Sequence, residues 1–169
     1  IRIVHGERRE KQDISITAHK SPIAIIKFNS TGSLVATASS LGTIIKVFNT
    51  RNGELVGQFR RGSLSAEIHS IAFSPESELL AVSSSKGTIH IFSLTSTPMN
   101  PADAQNPIRA DMKINKPYLG ASVLCFESRE KLISVSNQCI LTTFIVSELD
   151  KTIRDDKTYN FVDLIAIQA

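Results

Sequence analysis

An all-β chain built from repeated four-stranded antiparallel units is the fold class this sequence predicts, and two observations predict it. The first is a repeat. Residues 26–48, IKFNSTGSLVATASSLGTIIKVF, return as residues 71–92, IAFSPESELLAVSSSKGTIHIF. Phe28, Leu34, Ala36, Ser39 and Gly42-Thr43 recur 45 positions later as Phe73, Leu79, Ala81, Ser84 and Gly87-Thr88. A decayed third copy, residues 125–144, keeps Phe126 and Leu132 but loses the Gly-Thr turn. The second observation is local. Each copy alternates β-branched or aromatic residues with small or polar ones, is cut by turn residues, and shows no sustained helical period. A period of roughly 40–45 residues holding four strands is the signature of β-propeller blades.

Taken in order, Ile1–Val4 and Ile14–Thr17 read as the last strands of a preceding blade, which occupies residues 1–17. The chain begins like the interior of a strand, which suggests a fragment starting inside a fold. Strands near 23–28, 33–38, 43–49 and 55–59 fill the blade at 18–62. Strands near 68–73, 79–84, 88–94 and 110–114 fill the next, at 63–120. Strands near 121–126, 131–136, 140–147 and 161–167 fill a closing blade at 121–169. Beyond Thr43 the first copy carries one extra residue, so that Lys46 aligns with His90, and a β-bulge is expected to absorb it. Three blades and a remnant leave open edges, so further blades, N-terminal ones, are expected to complete the ring.

Composition excludes several functions. The 19 Lys+Arg against 16 Asp+Glu leave a net charge of +3, too weak for a general nucleic-acid or polybasic surface. Apolar runs are only a few residues long, far short of a spanning helix. Cys125 and Cys139 lie in apolar β-like runs without metal spacing and read as small buried hydrophobes. No metalloprotease, nucleophile-elbow or phosphate-loop motif is present, so neither enzyme activity, a metal nor a cofactor is expected. Asp155-Asp156 falls in the charged run Lys151–Lys157, which reads as a surface hairpin cap.

The feature that stands out is Phe59-Arg60-Arg61-Gly62, where one blade hands the chain to the next. Adjacent side chains of an extended chain point opposite ways, so the two arginines would serve two pockets. Each guanidinium is a planar fork suited to phosphate. Phe59 would anchor the strand end, and Gly62 would permit the sharp turn that follows. Both arginines are expected to be exposed and to contribute little to folding. An arbitrary Arg-Arg pair is ordinarily a solvated surface feature; the matched repeats around this one give it weight. His19, Ser40, Thr43 and Lys46 flank it on one side, and Ser84, Lys86, Thr88 and His90 hold the corresponding places on the other. Singly, the threonines are strand formers, the lysines edge charges and His90 a half-buried strand residue. The duplication is what argues for two sites.

These residues resemble the PROPPIN family of WD40-like propellers. The run HKSPIAIIKFNSTGSLVATASSLGTIIKVFNTRNGELVGQFRRG followed by SSSKGTIHIF carries the likeness, strongly over 14–94 and by general pattern over 118–169. The resemblance implies a seven-bladed propeller, with this chain running from the end of its fourth blade to its seventh. It implies binding of phosphatidylinositol 3-phosphate and 3,5-bisphosphate at two rim sites. Arg60 would join His19, Ser40, Thr43 and Lys46 in the first, and Arg61 would join Ser84, Lys86, Thr88 and His90 in the second. Lys46 stands where the family commonly has Arg, keeping charge without the fork. The connection at 95–117 resembles the family's membrane loop, with Met99, Ile108, Met112 and Ile114 supplying apolar contact and Arg109 and Lys113 attraction to anionic lipid. The implied partners are phosphoinositide lipids, a membrane surface and autophagy-type proteins held on blades absent here, with no nucleic acid. The implied location is cytoplasmic, peripheral on preautophagosomal, endosomal or vacuolar membranes. The alternative is a WD40-type protein-interaction scaffold without lipid binding.

Overall fold

The computed structural model describes residues 1–3, 13–95, 106–116 and 118–161. β1 (Arg2–Ile3) and β2 (Ile14–Ser15) pair antiparallel as the preceding remnant. The first blade holds β3 (Ile23–Phe28), β4 (Leu34–Ser39), β5 (Ile44–Asn49) and β6 (Leu55–Arg60) in consecutive antiparallel order. The second holds β7 (Ile68–Phe73), β8 (Leu79–Ser84), β9 (Thr88–Ser93) and, as its fourth strand, β11 (Met112–Asn115). The third holds β12 (Ser122–Phe126), β13 (Lys131–Ser136), β14 (Ile140–Ser147) and β15 (Thr152–Asn160). The first strands β3, β7 and β12 lie side by side, which is how blades meet around a propeller axis.

Side-chain alternation builds the core between blades rather than within them. Ala38, Ile45, Val47 and Phe59 of the first blade pack on Ile68, Leu80, Val82 and Phe92 of the second. Phe59 is fully buried and meets the Phe92 ring edge-on at 5.3 Å, so the first residue of the FRRG motif is the anchor expected of it. The opposite face of the second blade packs Leu79, Ile89 and Ile91 on Leu132, Phe144 and Val146 of the third. Main-chain groups cross as well: the Leu124 N–H donates to Ser70 Oγ at 3.1 Å, and Ser83 Oγ donates to the Ser122 carbonyl.

Five sequence expectations are corrected. The extra residue of the first copy makes no bulge in the β4–β5 ladder, which is regular; the turn holds it, residues 40–43 there against 85–87 in the second blade. By register Ile44, not Thr43, is therefore the counterpart of Thr88. The fourth strand of the third blade is Thr152–Asn160 rather than 161–167, most of which lies outside the described residues. The short turn after Ser147 returns the chain at once, and an edge strand exposed on most of its length can be as polar as Asp155-Asp156-Lys157. Cys125 and Cys139 are exposed, because the inward residues of β12 are Ser122, Leu124 and Phe126, and Cys139 sits in the β13–β14 turn at φ 60°.

Gly62 has no positive φ, and a Cβ there would meet open space. The glycine this corner requires is Gly42, at φ 60° with a would-be Cβ 1.9 Å from the Ala66 carbonyl oxygen. Finally, Met112 and Ile114 are only 5% and 4% exposed, inward residues of β11 in the core between the second and third blades. They cannot supply membrane contact. Met99 lies outside the described residues.

Candidate functional site

Cross-strand register assembles the first set of polar residues. Lys46 on β5 stands between Thr37 on β4 and Gln58 on β6. Two residues on, Ile44 opposes Arg60, so Lys46 and Arg60 are diagonal neighbours on one face of the blade. His19 reaches this face from the segment before β3, with Nε2 2.9 Å from Thr37 Oγ1 and 3.3 Å from the Thr37 carbonyl. Partial burial, and then the Lys46 charge, hold the imidazole below its ordinary range, against the pull of the Thr37 carbonyl. Thr37 is a member the sequence did not reveal, since a buried threonine in a strand reads as a β-former. Ser40 and Thr43 lie in the turn above. The Ser40 N–H is engaged by the Pro22 carbonyl, and the Thr43 carbonyl accepts the Arg61 and Gly62 N–H groups.

The two arginines differ more than the sequence suggested. Arg60 closes β6 and is exposed. Arg61, by contrast, is buried to 6% exposure, which corrects the expectation that both are solvated. Its Nε donates to the Gly42 carbonyl at 2.9 Å and its Nη2 to the Leu64 carbonyl. Burial lowers its pKa from the ordinary value, though an arginine stays charged at any physiological pH. Among the described residues no carboxylate pairs with it. A guanidinium held by two neutral carbonyls in a low-dielectric corner is an incomplete charge arrangement that an anion would complete.

The second set surrounds β9. His90 is buried, stacks on Phe92 with ring centroids 6.3 Å apart, and lies opposite Lys113 of β11. Burial, with smaller contributions from Lys113 and Arg61, pushes its pKa down to about 4, so the imidazole is neutral at pH 7. His90 Nδ1 and Ser84 Oγ are buried polar atoms without a hydrogen-bond partner among the described residues. Thr88 opens β9 opposite Asn115, and Lys86 stands exposed in the turn before it. Lys113, which the sequence placed in a membrane loop, belongs by register to this site. Only the β9–β11 pairing reveals that.

A further strand extends the outer edge of the first blade. β10 (Ile108–Arg109) pairs in parallel with β6, placing Ile108 beside Phe59 and Arg109 beside Arg60. Ile108 and Ala110 pack on the core between the first two blades, so Arg109, alternate to both, emerges on the Arg60 side.

Comparison with known proteins places the fold in a family. A family model described as PROPPIN matches residues 3–136. Autophagy-related protein 18 of Neosartorya fischeri is 45% identical over 108 residues, 63% of this chain and 25% of that protein. Its counterpart in Schizosaccharomyces pombe is 55% identical over 84 residues, 50% of this chain and 22% of that protein. Among solved structures, Kluyveromyces lactis Hsv2p superposes with TM-score 0.77 at 26% identity, covering 94% of this chain and 54% of that one. KlAtg21 in complex with the coiled coil of AgAtg16 gives TM-score 0.69 at 26% identity, covering 84% and 43%. The chain thus spans about a quarter of the curated relatives it matches, and about half of the solved propellers.

Proposed function

Because the chain belongs to the PROPPIN family, whose model matches most of its length, we propose that it is the lipid-reading part of a seven-bladed propeller. That propeller docks reversibly on membranes carrying phosphatidylinositol 3-phosphate or 3,5-bisphosphate. The first headgroup site uses His19, Ser40, Thr43, Lys46 and Arg60, with Thr37 orienting the histidine. The second uses Arg61, Ser84, Lys86, Thr88 and His90, with Lys113 beside them. The observation that carries this reading is Arg61, a buried guanidinium that meets two main-chain carbonyls and no carboxylate among the described residues. A phosphate supplies the missing charge and takes a fork-shaped donor bidentately.

Two sites on one rigid rim act at high effective concentration once one lipid is engaged, so modest pockets suffice for membrane docking. The role is that of a non-catalytic effector or scaffold in autophagy and endolysosomal traffic, cytoplasmic and peripheral on preautophagosomal, endosomal or vacuolar membranes. A second, protein-binding role is supported by the structural neighbour solved with a coiled coil. Recruitment of the full-length protein to vesicles with and without 3-phosphorylated lipid tests the proposal. Recruitment should require that lipid and vanish when Arg60 and Arg61 are both changed to Thr. Equal binding to phosphatidylcholine vesicles, or undiminished binding by a folded double variant, would refute it.

A further inference from the structure

The parallel pairing of β10 with β6 sets two arginines side by side at the outer edge of the first blade, Arg109 directly opposite Arg60. Strands in a sheet lie about 4.8 Å apart, and like charges placed directly opposite destabilise the pairing. No carboxylate among the described residues relieves it. Asp111, two positions on, is committed elsewhere, accepting from Lys151 Nζ at 2.8 Å and from the Ser93 N–H at 2.7 Å. Lys46 adds a third cation diagonally on the same face, and His19 stands behind it on Thr37. The apolar residues of the segment hold it in place regardless, Ile108 and Ala110 packing on the core beside Phe59. The strand is therefore docked by its apolar side and repelled by its charged side.

We propose that Arg109 is a further binding residue of the first rim site. A phosphate ester clamped between the Arg60 and Arg109 forks relieves the repulsion and fastens β10 to β6. Occupancy of the first site is then coupled to docking of β10, and a ring phosphorylated at both its 3- and 5-positions gains more from Arg109 than one phosphorylated at the 3-position without the 5-phosphate. The inference rests on the lipid-headgroup reading above and adds to it a residue, a strand and a direction of coupling.

The test uses the full-length protein with soluble inositol 1,3-bisphosphate, inositol 1,3,5-trisphosphate and inorganic phosphate as probes. Amide exchange at Ile108–Ala110 should slow about tenfold when the inositol phosphates are added. Arg109→Gln should weaken inositol phosphate binding about tenfold, the scale of one charge-assisted contact, with a larger loss for the trisphosphate. In an Arg60→Ala background the same change should have almost no further effect. Arg109→Glu separates binding from structure: it places opposite charges on the paired strands, so β10 should stay protected without ligand while affinity falls. Protection and affinity that match for inorganic phosphate would assign the clamp to free phosphate instead of a headgroup. If Arg109→Gln leaves inositol phosphate affinity unchanged while vesicle recruitment still depends on Arg60 and Arg61, the inference fails and the proposed function stands. If the parent binds neither inositol phosphates nor 3-phosphorylated vesicles, the functional reading falls and takes the inference with it.

Discussion

One cross-strand row can be followed through all three blades. In the first it reads Thr37, Lys46, Gln58; in the second Val82, His90, Lys113; in the third Ser134, Thr142, Thr158. The backbone pairing is the same and the chemistry is not. The third blade presents only hydroxyls there. Of its basic residues Arg129 pairs with Glu78 and Glu148, Lys131 with Glu127 and Asp156, and Lys151 with Asp111, while Arg154 and Lys157 of its outer strand form no ion pair among the described residues. In the first two blades Lys46, Arg60, Arg61, Lys86, Arg109 and Lys113 form no ion pair with any described carboxylate. A repeated scaffold thus carries two kinds of surface. The difference lies in the row itself, which holds a lysine in each of the first two blades and hydroxyls alone in the third.

The sharpest way to break this contrast is at the corner joining the first two blades. Gly42→Ala should destabilise the protein by several kcal/mol, because the new methyl meets a main-chain oxygen and φ is left-handed. Thermal melting should show a large drop; a shift of a degree or less would mean the corner is looser than drawn. Arg61→Ala should lower both stability and vesicle binding, since it strips donors from two carbonyls, whereas Arg60→Ala should lower binding alone. Equal melting losses for the two variants would erase the distinction between them.

Giving the second blade the third blade's row, by His90→Thr with Lys113→Thr, should reduce the calorimetric stoichiometry for soluble headgroup from two to one. A stoichiometry of two in the altered protein would place the second site elsewhere. A smaller effect concerns protons. The fold holds His90 near 4, below its ordinary 6.5, so it contributes stability that is present above about pH 6.5 and lost as pH falls toward 4. Relative to His90→Gln, the parent should lose melting temperature across that window and not above it. Parallel profiles for the two would show that the imidazole takes up its proton freely. The smallest effect belongs to the third blade, where Arg129→Ala removes a half-exposed ion pair and should cost no more than about 1 kcal/mol without altering lipid binding.

The sequence by itself determined the repeat, most strand positions to within a residue, and the arginine pair between matched polar sets. Each is a local property: alternation along a strand, turn residues between strands, one motif at one junction. Tertiary structure decided what depends on partners. Arg109 and Lys113 look alike in a Pro-rich connection, yet one pairs with β6 and the other with β9, because strand pairing joins residues some fifty and twenty positions apart and no local pattern encodes it. Met112 and Ile114 read as membrane contacts until the third blade covers them. Gly62 looked like the turn residue, and the close approach of Ala66 assigns that role to Gly42 instead. Arg60 and Arg61 are identical letters side by side; only the fold around Gly42 and Leu64 makes one a surface charge and the other a buried one.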